Sequence, residues 1–294
     1  MLALEVIFLA LFWCWVFSAI LFLRNTMVPR LPISVTPEQL GMASETVQFT
    51  ATDGVRLEGW KVAGDAARPW IIICHGVGAN RSDLLEMGAR LHQAGFNLFL
   101  FDFRGHGGSA GSATSFGWLE QRDLEGALAF LGSQSDVAAR PYGVYAASMG
   151  AVTALSVAAR DERLGALAVD SPFTALDESI GRHLALMYPA LPKAPFLWFV
   201  LATYRLRFGV WPGSISSVQA ARRLGERPLL VINGKGDDRM PPEGARAIVD
   251  AAEDGSAELW LVEGAAHLES YGVQQEAYSR RVADFFTRHL SGGK

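Results

Sequence analysis

The chain has 294 residues, half of them hydrophobic, and a formal net charge of −4. That length can bury a large core in one or two domains. With no run of Lys or Arg, the charge argues against the concentrated basic surface that nucleic-acid binding needs. Two cysteines, Cys14 and Cys74, supply no disulfide framework, and no Cys/His spacing matches a zinc site.

Residues 6–23 are almost wholly apolar, interrupted by Ser18 and bracketed by Glu5 and Arg24. As a helix they span about 27 Å, close to a hydrocarbon core of roughly 30 Å. A cleaved signal peptide needs a basic start and a small-x-small site, and neither is present. Bulky Trp13 before Cys14 also fits a lipoprotein signal poorly. Residues 1–24 are therefore expected to form a single-pass membrane anchor. A cleaved leader and a helix docked on the protein are the alternatives. Arg24 and Arg30 follow the apolar run, so the positive-inside tendency puts the rest of the chain in the cytoplasm. Pro29, Pro32 and Pro37 make 25–44 a partly extended linker.

The catalytic domain is expected over 45–294. Residues 46–51 and 55–62 alternate apolar and polar around Asp53-Gly54, a hairpin signal. Short apolar runs at 70–74, 97–101, 142–146, 166–169, 229–232 and 259–262 read as strands covered on both faces. Helical stretches lie between or after them at 82–94, 117–131, 150–160, 242–253 and 274–290. In the last, Tyr278, Val282, Phe285 and Phe286 share one face. Alternating strands and helices predict an α/β fold with a mostly parallel sheet flanked by helices. The interval after Asp170 breaks this rhythm. Its length and apolar content predict a cap-like helical insertion at about 174–225, with ordinary core helices as the alternative.

The chemistry-bearing residues fall at strand ends. Ala146-Ala147-Ser148-Met149-Gly150 joins a strand to an Ala-rich helix. Small residues two before and two after a Ser permit a tight nucleophile elbow, although Ala146 stands where Gly is usual. The Met149 amide is then free at a helix N-terminus. His75-Gly76-Val77-Gly78 follows another strand and offers the Val77 amide as a second oxyanion donor, while the His75 ring itself reads as loop-shaping. Asp237 and His267 end the next two strands in the order Ser, Asp, His. Asp238 and Asp170 are alternative acids, because geometry rather than position defines a triad. Asp102, Arg104 and His106 read as loop-bracing, and His92, His183 and His289 as helix-surface residues.

The ordered set HGVGAN, DFRGHGGS, AASMG, DSPF, GKGDDRMP and GAAH resembles the α/β-hydrolase superfamily, near its serine aminopeptidase and monoacylglycerol-lipase-like members. The resemblance covers about 45–290. It implies Ser148 as nucleophile, Asp237 as acid and His267 as base, with Val77 and Met149 amides forming the oxyanion hole. That chemistry calls for no cofactor or metal. The expected partners are a small-molecule or lipid-like acyl substrate and a membrane. A short-peptide peptidase and a catalytically silent binding module are the competing readings.

Overall fold

The computed structural model describes residues 2–135, 137, 141–253 and 255–290. Met1 and the last four residues of the expected domain, 291–294, lie outside them. The hairpin forms from β1 (Glu45–Thr50) and β2 (Arg56–Val62). Then come β3 (Trp70–Cys74), β4 (Asn97–Phe101), β5 (Tyr142–Ala147), β6 (Leu164–Asp170), β7 (Leu229–Gly234) and β8 (Ala257–Val262). They make one eight-stranded sheet in the order β1-β2-β4-β3-β5-β6-β7-β8. β1 and β2 are antiparallel to their neighbours, and every pairing from β4 through β8 is parallel. The apolar runs of β3, β4 and β5 are buried throughout, as strands with both faces covered must be.

Two hydrophobic clusters occupy the two faces of the sheet. One includes residues of α3 (Glu120–Ser133), α4 (Met149–Ala158), α7 (Ser217–Ala221) and α8 (Pro242–Ala251). The other lies under α2 (Leu85–Gln93) and α10 (Gln275–Leu290), the latter following the short α9 (Ser270–Val273). In α10, Tyr278, Val282, Phe285 and Phe286 all face inward, so a 3.6-residue period places one apolar stripe on the sheet.

The interval after β6 rises above the carboxyl ends of the strands as α5 (Leu176–Met187) and α6 (Lys193–Phe208). A bridge between Ala175 and Ser216 closes its base. The cap-like excursion therefore ends short of the expected residue 225. α7 lies beyond the bridge, and its Ala220 and Ala221 are buried in the sheet-face cluster. Beneath the cap a third cluster gathers Phe173, Leu176, Val200, Tyr204 and Phe22.

Phe22 comes from α1 (Leu2–Thr26), the source of the N-terminal apolar run. Residues Leu4–Thr26 form one helix of 23 residues with mean hydropathy 2.6, long and apolar enough to cross a membrane. After it the chain runs across the domain. Arg30 donates to the carbonyls of His106, Gly107, Ser109 and Gly111 at 3.2, 2.7, 2.5 and 2.7 Å. The Asn80 amide donates to the carbonyls of Leu31 and Pro32, and Ile33 and Val35 pack on the core. The segment expected as a linker is thus docked along much of its length.

Candidate active site

Ser148 sits between β5 and α4 with φ 49° and ψ −116°. A non-glycine residue at positive φ is strained, and here the strain lifts the hydroxyl above the sheet edge. Two contacts hold the turn. The Ser148 amide donates to the Asp170 carbonyl at 2.8 Å. Gly150 lets α4 approach the β3 end so closely that an added Cβ would lie 2.3 Å from the Cys74 carbonyl oxygen and 2.6 Å from that of His75. Ala146, in place of the usual Gly, is accommodated in β5 with its side chain fully buried.

His267 Nε2 lies 3.3 Å from Ser148 Oγ, and His267 Nδ1 lies 2.7 Å from Asp237 Oδ2. The other Asp237 oxygen accepts the amides of Arg239 and Met240 at 3.0 and 2.8 Å. Asp237 is buried and its carboxylate is fixed from both sides. Asp238, the next residue, is exposed. Asp170 turns the other way: it accepts from Tyr278 Oη at 2.7 Å and Ser171 Oγ at 2.9 Å. Burial pushes its carboxyl up to about 6 despite these donors.

The loop after β3 is set by two imidazoles. His75 Nε2 accepts the Phe103 amide at 3.1 Å, which leaves Nδ1 as the donor to the Gly76 carbonyl at 2.7 Å. His106 Nε2 accepts the Gly78 amide at 3.1 Å, and its Nδ1 donates to the Arg104 carbonyl at 2.8 Å. The Gly76–Val77 peptide plane is held by its oxygen, so the Val77 N–H is turned away from the His75 ring. Neither the Val77 nor the Met149 amide donates to a described residue. Burial pushes His75 down to about 3, reinforced by His106, and burial also lowers His106. Both rings are thereby kept neutral.

The neighbouring charged groups brace the loops. Asp102 accepts from the Arg81 amide and guanidinium and from the Gly108 amide at 2.7, 3.0 and 2.8 Å. Arg104 bridges Asp123 and Asp53 at 2.6 and 2.8 Å. Desolvation works against its charge, yet these two carboxylates raise it further into the charged range.

Ser148 and His267 open into a cavity of about 360 Å³. Its walls include Val77 and Met149 from the two loops, Ile180, Leu184 and Val200 from the cap, and Leu21 from α1. Among the described residues lining it there is no Asp or Glu. Two basic side chains line the cavity that the sequence reading did not place there. His183, exposed on α5 as read, also lines the cavity, as does Arg239 beside the acid turn. No periodicity signals this, because it depends on how the cap folds back over the sheet. The other two histidines read as surface residues lie on α2 and α10, away from the cavity.

The chain is similar to several known proteins. A family profile for serine aminopeptidases matches residues 65–205. The protein YqkD of Bacillus subtilis is similar at 31% identity over 236 residues, covering 79% of this chain and 75% of YqkD. The membrane protein YNL320W of Saccharomyces cerevisiae is 23% identical over 257 residues, 85% of this chain and 82% of that one. Among solved structures, an esterase of Pyrococcus furiosus is similar with a TM-score of 0.74 at 26% identity, over 90% of this chain and 99% of its own. The profile, the relatives and the shared fold converge, and the chain belongs to the α/β-hydrolase superfamily.

Proposed function

We propose that the chain is a serine hydrolase that cleaves an ester, thioester or amide with an apolar acyl part, held at a membrane by α1. The observation that carries this reading is the unbroken run Ser148–His267–Asp237, opening into an apolar cavity. His267 Nε2 takes the Ser148 proton as Oγ attacks the carbonyl carbon. Asp237 accepts from Nδ1, fixes the tautomer and stabilises the imidazolium. The carbonyl oxygen, now negative, is received by the Val77 and Met149 amides, which typically contribute several kcal/mol together. The bond to the leaving group breaks, and His267 returns the proton to it. Water, deprotonated by His267, then releases the acid and regenerates Ser148. No step asks for a metal or cofactor.

An apolar acyl substrate fits the lining better than a peptide does. Recognition of an amino terminus favours a carboxylate, and none lines the cavity among the described residues. The acids of the cap, Asp177 and Glu178, line a separate depression beside it. The short-peptide reading retains the support of the serine aminopeptidase profile. Arg24 in the last turn of α1 and Arg30 just past it favour a cytoplasmic catalytic domain. The reading is tested by a fluorophosphonate probe on the full-length chain in detergent. Labelling at Ser148, abolished in Ser148→Ala together with turnover of p-nitrophenyl esters, is the expected result. A folded wild-type chain that takes no label, or a Ser148→Ala variant with full turnover, overturns it and favours a silent binding module.

A further inference from the structure

The later turns of α1 do not stand clear of the domain. Trp15 Nε1 donates to Thr203 Oγ1 of α6 at 3.2 Å, and the Phe17 ring meets Phe196 at 6.0 Å. Phe22 packs edge-on against Tyr204 and Phe208, with ring centres 5.8 and 6.3 Å apart. The helix end is fixed too, because the Thr114 amide donates to the Thr26 carbonyl at 2.9 Å. These contacts aim one side of α1 at the chemistry. Leu21, Phe22 and Asn25, with Val28 just past the helix, close one side of the cavity that holds Ser148 and His267. Leu21 and Asn25 are four apart and so share a helix face.

The opposite side of α1 is apolar and uncovered, with Ile20 59% exposed. The cap also exposes large apolar side chains, with Trp198 and Leu206 69% and 73% exposed. Exposed apolar side chains on a helix of membrane-spanning length and on the cap helix packed against it suit lipid better than water. The cavity therefore lies directly behind a surface suited to a bilayer, with a single helix between them.

We propose that α1 is one wall of the substrate cavity and that Leu21 sets the acyl chain it accepts. The chain of a lipid-like ester lies from Ser148 along the inner side of α1, and it is drawn from the bilayer that the outer side contacts. This inference rests on the serine-hydrolase reading of the same site. Leu21 touches no reacting group, so it determines specificity and takes no part in the chemistry. Phe22 is a poorer probe, because it is buried in the cluster beneath the cap and its removal disturbs the fold. Leu21 is half-buried and lines the cavity.

The test uses the full-length chain in detergent micelles with p-nitrophenyl butyrate and p-nitrophenyl palmitate. Leu21→Trp adds bulk inside the cavity. It is expected to lower kcat/KM for palmitate about tenfold relative to butyrate, the scale on which a pocket wall discriminates chain length. Leu21→Ala shifts the ratio the other way. Ile20→Trp, on the uncovered side, leaves the ratio as in wild type. The inference is overturned if Leu21→Trp keeps the wild-type ratio, if it depresses both esters equally, or if Ile20→Trp shifts the ratio as much. A wild-type chain that turns over neither ester overturns the site reading, and this inference with it.

Discussion

Replacing Asp237 by Asn tests the triad through one proton. In wild type, one carboxylate oxygen accepts two backbone amides, Arg239 and Met240, and the other accepts His267 Nδ1–H. An Asn side chain has one accepting oxygen, and two amides demand it more strongly than one imidazole does. Its NH₂ group therefore turns to His267 and donates to Nδ1. The imidazole must then carry its proton on Nε2, the atom 3.3 Å from Ser148 Oγ. A protonated Nε2 cannot accept the hydroxyl proton, so the general base is lost while the shape of the site is kept. A wrong tautomer in such a triad costs about 10⁴-fold in kcat, or roughly 5 kcal/mol of barrier. The assay is p-nitrophenyl butyrate turnover by the full-length variant, with the melting temperature measured alongside to establish folding. Asp238→Asn, altering an exposed carboxylate, should stay within about threefold of wild type, in line with surface changes remote from the reacting groups. A folded Asp237→Asn variant losing less than about tenfold, or Asp238→Asn losing as much, would refute the hydrogen-bond argument.

Two further outcomes follow from the core around the site. Gly150→Ala drives a methyl into backbone oxygens of Cys74 and His75 that cannot swing aside. It should destabilise by about 1–3 kcal/mol, read as a lowered melting temperature, and a wild-type melt would contradict the close approach. Burial raises the Asp170 carboxyl to about 6 from a usual 3.8. A raised folded value means that the stability of the neutral form is present below about pH 4 and lost as pH rises through 6. Asp170→Asn, which can still accept from Tyr278, should therefore gain roughly 2–3 kcal/mol over wild type between pH 4 and pH 8. Melting curves of the pair that keep a constant offset across that range would exclude the effect.

Much of the scaffold could be read from the chain because it depends on patterns with a short period. The runs Trp70–Cys74 and Asn97–Phe101 coincide with β3 and β4 at both ends, since a strand buried on both faces reads as a near-continuous apolar run. The Ser, Asp and His were visible as residues just past strand ends. Which acid meets the imidazole was not, because that depends on the turn at Asp237 and on Tyr278, far along the chain, holding Asp170. α6 gave no face to read: it is apolar on most sides, covering the cavity with Val200 while exposing Trp198 and Leu206. The segment after α1 showed its prolines, which forbid a helix, but not its docking. Arg30 is held by four carbonyls, and backbone oxygens leave no trace in residue identity.

The paired imidazoles that shape the loop after β3, His75 within it and His106 after β4, set a floor on the acidity this molecule tolerates. Each ring has already spent its one proton on a carbonyl and offers its bare nitrogen to an amide, Phe103 for His75 and Gly78 for His106. A second proton would put N–H against N–H inside a buried site. With His75 depressed to about 3, its contribution is whole above about pH 6.5 and drains away as the medium is acidified toward 3. Acid therefore attacks the cradle on either side of Val77, so that damage done by low pH originates in the architecture beneath the reacting serine.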